Sequence, residues 1–283
     1  MHRYSTISIN KISYYRAELM GIGILGVMIS HLSDISDYSI PILSVIPKLV
    51  YTEGFLLLSG IGCFYSYVKA ENQISFYRRR LQRVFYPYLF LTIPFLSFFY
   101  FYENKPFIVY LGELTSMSFW YEGNFYGMWY VSISLFAYLL FPFIYRGIFK
   151  GRELFTRKFI WILLSAISIP FVVRLIMPEY YKLVGIGISR FWMFIVGVAV
   201  GFFSWTGQQL TVKQFTTLFA TSIALVVLLY FCKNDESIEV IYMSMERLIF
   251  IAFLCISFVA LEKNTPPSGN QFQILLNGLE SIP

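Results

Sequence analysis

Charge is scarce in this chain. Only 13% of its 283 residues are Asp, Glu, Lys or Arg, against about 25% in an ordinary soluble domain. A soluble globule of this size has too few polar groups here to cover its surface. A soluble enzyme, a disordered tail and a repeat solenoid are therefore excluded. Alternation is missing as well: the apolar runs are continuous, whereas the strands of a transmembrane barrel alternate apolar and polar residues. Cysteine is nearly absent. Cys63, Cys232 and Cys255 are scattered and in no metal-type spacing, so they read as buried free thiols and no metal site is expected. A cleavable leader is not expected either. Sixteen residues precede the first apolar run and no small-x-small site follows it, so that segment reads as a signal anchor.

What fills the chain instead is apolar and aromatic. Hydrophobic residues make up 57% and aromatic residues 20%, with a mean hydropathy of +0.64. The expected class is all-α: a polytopic helical membrane protein whose solvent is the lipid bilayer. About eight transmembrane helices are predicted, at roughly 17–33, 49–70, 84–102, 127–146, 159–178, 189–205, 215–232 and 240–261. They form a single integral-membrane domain over 1–283, with 262–283 as a tail. The segment Gln271–Pro283 begins like the lead-in to a further helix and then stops. A short natural tail and a truncated or frameshifted chain both account for it.

These spans sort the basic residues. Fifteen Lys and Arg fall on the side of the N-terminus, six on the other, and Arg247 lies inside a span. Cytoplasmic loops carry the excess of positive charge. The N-terminus is therefore expected in the cytoplasm, in a multi-pass protein of the plasma (inner) membrane. Much of the net charge of +6 is then topological, and no nucleic-acid partner is expected.

Ionisable groups within spans are expensive and mark function. Arg16 and His31 are 15 residues apart, about 22 Å of helix, and differ by only about 60° in azimuth. They share a face, with Arg16 at the cytoplasmic end and His31 near the outer end. Glu53, in Glu53-Gly-Phe-Leu-Leu-Leu-Ser-Gly60, is expected at the depth of His31. A histidine and a carboxylate at one depth suit general acid–base chemistry, and equally a proton-coupled transporter. Arg78, Arg79, Arg80 and Arg83 run straight into the third span. They serve as a positive-inside stop or as a clamp for phosphate, and Arg80 and Arg83, at i and i+3, are expected on one face. Trp129 and Arg190 stand at the mouths of later spans, where Arg190 can snorkel or bind a substrate oxygen. Glu246 and Arg247, in the last span, read as a structural ion pair.

In this order the pieces resemble the acyltransferase family 3 membrane proteins, the O-acyltransferases of surface polysaccharide and peptidoglycan, from about residue 16 to 262. The resemblance rests on five motifs. His31 closes the first apolar run, and Glu53 stands six positions before Ser59-Gly60. Arg80-x-x-Arg83 precedes an aromatic-Pro helix at Pro87. Trp129 opens a helix that runs to Phe141-Pro142, and Arg190, Phe194 and Gly197 form Arg-x-x-x-Phe-x-x-Gly. The family's usual arginine eleven residues before the histidine is replaced by Met20, and Arg16, one turn earlier, is its nearest substitute. The family's final helix is missing.

The resemblance implies acyl transfer across the membrane, with acetyl-CoA as donor from the cytoplasm. A hydroxyl of an extracytoplasmic polysaccharide or lipid-linked glycan is the acceptor. His31 is then base or acyl carrier and Glu53 its orienting carboxylate. Arg80 and Arg83 hold CoA phosphates. Arg16 reaches the donor pyrophosphate or the thioester oxyanion, and Ser59, Trp129 and Arg190 line the substrate site. The alternatives are a glycan or anion transporter or flippase, and an inactive truncated relative acting as a scaffold.

Overall fold

The computed structural model describes residues 6–35, 52–70, 72–103, 106–123, 129–149 and 155–232. The predicted span 240–261, the Glu246–Arg247 pair, Cys255 and the 262–283 tail lie outside these residues. The described elements are β1 (Thr6–Ser8), α1 (Asn10–Tyr14), α2 (Arg16–Ile35), α3 (Glu53–Val68) and α4 (Gln73–Arg80). A π-helical turn (Leu81–Phe85) joins α4 to α5 (Tyr86–Glu103). Then follow α6 (Phe107–Leu114), α7 (Phe119–Glu122), α8 (Trp129–Phe149), α9 (Phe155–Ile176) and α10 (Pro178–Ile188). The last are α11 (Phe191–Trp205), β2 (Gln209–Thr211) and α12 (Val212–Cys232). The chain is a helical membrane protein. Among the described residues, four helical stretches are long and apolar enough to cross a bilayer: Gln73–Tyr102, Trp129–Phe149, Arg157–Ile176 and Pro178–Trp205. Among the described residues, helix occupies each of the seven predicted stretches that they include.

The centre of the bundle is α3 against α11. A Cβ at Gly60 would strike the carbonyl oxygen of Phe194, and one at Gly197 that of Leu57. At Gly201 it would meet Phe64 Cβ at 2.9 Å and Ile61 Cα at 3.2 Å. Glu53 meets Arg190 at one end of the pair and the Tyr65 hydroxyl lies 2.8 Å from the Ser204 hydroxyl at the other, so α3 and α11 run parallel with their backbones in contact. Lipid gives helices no hydrophobic drive to associate, and close approach over small residues supplies the packing instead. The pair is fully buried around Leu56, Ile61, Phe64, Met193, Phe194 and Ile195.

Helix α2 runs antiparallel to α3: Gly23 faces the Phe55 ring, and the Arg16 guanidinium lies against Gly62. Prolines 94, 142 and 170 sit inside α5, α8 and α9, a tolerated placement where neighbouring helices satisfy the freed carbonyls. The N-terminal strand β1 pairs antiparallel with β2, Ile7 opposite Leu210, which holds the start of the chain beside the α11–α12 connection.

The stretch after α5 folds back into the bundle. Ser97 bonds Tyr110 at 3.0 Å, the Tyr88 hydroxyl donates to the Glu113 carbonyl at 2.8 Å, and Ser132 donates to the Ser116 carbonyl at 2.9 Å. Ser116 is buried with a positive φ of 59°. Side chains from α5 and α8 thus take up the carbonyls of a non-helical turn, as backbone at membrane depth requires.

Candidate active site

Polar side chains collect at two levels of the α3–α11 core. At the α3 N-terminus, Glu53 is 0% exposed. The Arg190 Nε donates to its Oε1 at 2.5 Å. Arg190 occupies the N-cap position of α11, and one of its terminal nitrogens donates to the Ile186 carbonyl at 2.5 Å. Its guanidinium lies 5.0 Å from the Trp129 ring. Parallel packing of α3 on α11 is what brings residues 53 and 190 together. A buried arginine with a carboxylate on one edge, a carbonyl on another and an indole on its face is held and neutralised.

Nine residues further along α3, about 13.5 Å of helix, the pattern changes. Arg80 is 7% exposed and donates to the Gly62 carbonyl. Its guanidinium lies 5.7 Å from both the Phe76 and Tyr138 rings, and its Nε has no hydrogen-bond partner. Arg16 reaches the same glycine from α2 and lies within electrostatic range of Arg80, Arg83, Cys63 and Tyr138. Among the described residues no carboxylate pairs with Arg16 or Arg80. Two cations therefore converge on Gly62, Arg80 on its carbonyl and Arg16 on its open Cα face, with no carboxylate paired to either among the described residues. A side chain at Gly62 would displace the Arg16 guanidinium from its place beside Arg80.

Several expectations change in this geometry. Arg80 and Arg83 do not share a face: Arg80 is buried, whereas Arg83 is exposed. The wider π turn begins between them and rotates Arg83 away from the α-helical i+3 position. Glu53 spends an oxygen on Arg190, a pairing that the expected Glu53–His31 arrangement does not contain. His31 is exposed on α2. From the Gly23–Phe55 contact, His31 is eight residues along α2 and Glu53 only two back along α3. The antiparallel register thus carries the His31 backbone about 9 Å beyond that of Glu53, so the two are not level.

Ser59 sits between the two cationic levels, its Oγ 2.7 Å from the Tyr138 hydroxyl. Tyr138 had no signal in the sequence, where it is one aromatic residue among many; only its seat between Ser59 and Arg80 distinguishes it. Cys63 is buried and free, as expected of the thiols.

Buried Arg80 and half-buried Arg16, without a carboxylate among the described residues, form an arrangement inside a helical membrane domain that suits an anion. The chain belongs to the acyltransferase family 3: the family model, an acyltransferase domain, matches residues 19–277. No curated protein and no solved structure matches the chain. The protein is thus a membrane acyltransferase.

Proposed function

We propose that this acyltransferase O-acetylates an extracytoplasmic polysaccharide, or its lipid-linked precursor, with acetyl-CoA drawn from the cytoplasm. The observation that carries the reading is the convergence of Arg16 and Arg80 on Gly62 with no carboxylate paired to them among the described residues. A donor rich in phosphate supplies the missing charge, and arginine forks bind phosphate bidentately. The Arg-rich end accordingly faces the cytoplasm of a plasma-membrane protein, as the fifteen-to-six division of Lys and Arg also favours. Arg83, exposed at that end, meets the outer phosphate of the nucleotide.

In the transfer, the acceptor oxygen attacks the thioester carbonyl, a C–O bond forms, and the C–S bond breaks. His31 takes the hydroxyl proton as base, or first carries the acyl group on its imidazole. The hydroxyl proton ends on the departing thiolate. Arg190, fixed by Glu53 and Trp129, is the positioning element at the level where the thioester arrives.

The test is acetate content of the surface glycan, read by NMR, in cells carrying wild-type protein or His31→Ala. Positioned proton transfer is worth about 10²–10⁴ in rate. Loss of acetylation by that order, at unchanged membrane level, is the expected result. Normal acetate in both His31→Ala and His31→Gln removes His31 from the mechanism.

A further inference from the structure

Between the cation pair at Gly62 and the ion pair at Glu53 the core holds a buried side-chain hydroxyl pair that bridges α3 and α8: Ser59 and Tyr138, 2.7 Å apart. Leu58, Ile133, Ala137 and Phe141 are buried nearby in the same core, with Ser134 and Cys63 among the buried polar neighbours. Two hydroxyls in such a place cost burial energy that an apolar pair would not, and either oxygen can donate or accept. The Tyr138 ring also faces Arg80, so whatever ligand neutralises Arg80 passes beside this hydroxyl.

Length makes the argument quantitative. Ser59 is three residues from Gly62 and six from Glu53, about 4.5 Å and 9 Å along the helix. About thirteen covalent bonds separate the nearer phosphorus of a CoA thioester from its sulfur. Extended like a peptide chain they reach about 15 Å, against the about 13.5 Å from Gly62 to Glu53. A diphosphate at Arg16 and Arg80 therefore brings the sulfur to the level of Arg190. The same placement lays the two amides of the connecting arm past Ser59 and Tyr138.

Resting on the donor reading above, we propose that Ser59 and Tyr138 are a recognition subsite for the amides of the donor's pantetheine arm. Their mutual bond opens to one in which each hydroxyl pairs with the arm. They are positioning residues: they hold the arm straight so that the thioester arrives beside Arg190, and they select a pantetheine thioester over a bare nucleotide.

The experiment measures binding to the full chain in detergent by calorimetry, with two probes. One is acetyl-CoA. The other is adenosine 3′-phosphate 5′-diphosphate, which keeps the phosphates and lacks the arm. Tyr138→Phe, which keeps the ring beside Arg80, and Ser59→Ala should each weaken acetyl-CoA binding about three- to tenfold, the worth of one lost hydrogen bond. Both should bind the nucleotide like wild type. Unchanged acetyl-CoA affinity in both variants overturns the subsite. Equal weakening of both probes overturns it too, because the hydroxyls would then act through Arg80. If wild type binds neither probe, the donor reading itself fails, a result distinct from either. Should Tyr138→Phe fail to fold, Ser59→Ala alone decides by the same criteria.

Discussion

Among the described residues two arginines are buried, and they are buried in opposite ways. Arg190 faces a carboxylate at 2.5 Å, a carbonyl and an indole. Arg80 has a carbonyl, two aromatic faces and, close by, a second guanidinium. Taking a cation out of water costs several kcal/mol unless charge and hydrogen bonds offset it. The first site is self-contained and reads as a rigid positioning element. The second is incomplete as folded, and an incomplete charge inside a membrane domain is where an anionic substrate gains most by binding. Burial alone does not separate a structural arginine from a binding one. The identity of the neighbours does.

The largest effect that should break this contrast is on stability. Arg190→Ala strands a carboxylate that is 0% exposed and should cost about 3–5 kcal/mol, read as a drop in the detergent melting temperature. The double variant Glu53→Leu, Arg190→Met should recover most of it, since replacing both members of a buried pair by apolar groups is often neutral. No recovery would mean that the pair does more than neutralise itself.

Arg80→Ala should do the reverse. It removes one of two like charges, so folding should be unaffected or improved. The apparent acetyl-CoA KM should rise by about 10–100-fold, the scale of one or two charged hydrogen bonds at about 1.5–3 kcal/mol each. A melting temperature that falls as far as in Arg190→Ala would make the two sites alike after all.

A smaller effect sharpens the link between helix packing and the ion pair. Gly197→Ala forces α11 away from the Leu57 carbonyl and should cost about 1–3 kcal/mol through overpacking. Gly21→Ala, where a Cβ meets nothing within 4 Å, should be neutral or slightly stabilising, by less than about 1 kcal/mol. Thermal unfolding of both variants checks the pair. The orientation of the two sites carries no folding energy at all. Reporter fusions should be active in the cytoplasm at residue 75 and outside at residue 110, and the reverse pattern would place the uncompensated arginines on the wrong side for a cytoplasmic donor.

Much of the site was legible in the chain because polar residues are rare in it. Against a background of 13% charged residues, Arg16, Glu53, Arg80 and Arg190 stand out wherever they interrupt an apolar run, and all four fall within or at the ends of the core helices. Which of them meet was not legible. Glu53 and Arg190 are 137 residues apart, and the depth argument matched Glu53 with His31 instead. The Ser59–Tyr138 pair, 79 residues apart, left no trace, since one serine and one tyrosine are unremarkable in helices this aromatic. The division between buried Arg80 and exposed Arg83 depends on five residues adopting a π turn, for which their side chains give no spacing signal.

Hydropathy and charge by themselves determined that this protein is a helical membrane protein and where its helices lie, because transfer into lipid is decided residue by residue over a local window. The tertiary structure alone decided which cations are neutralised. That depends on which helix faces which, and here the choice is made by three glycines, Gly60, Gly197 and Gly201, whose missing side chains let α3 and α11 touch in parallel. Contact between backbones fixes their register, register sets Glu53 on Arg190, and Arg80 is left without a carboxylate among the described residues.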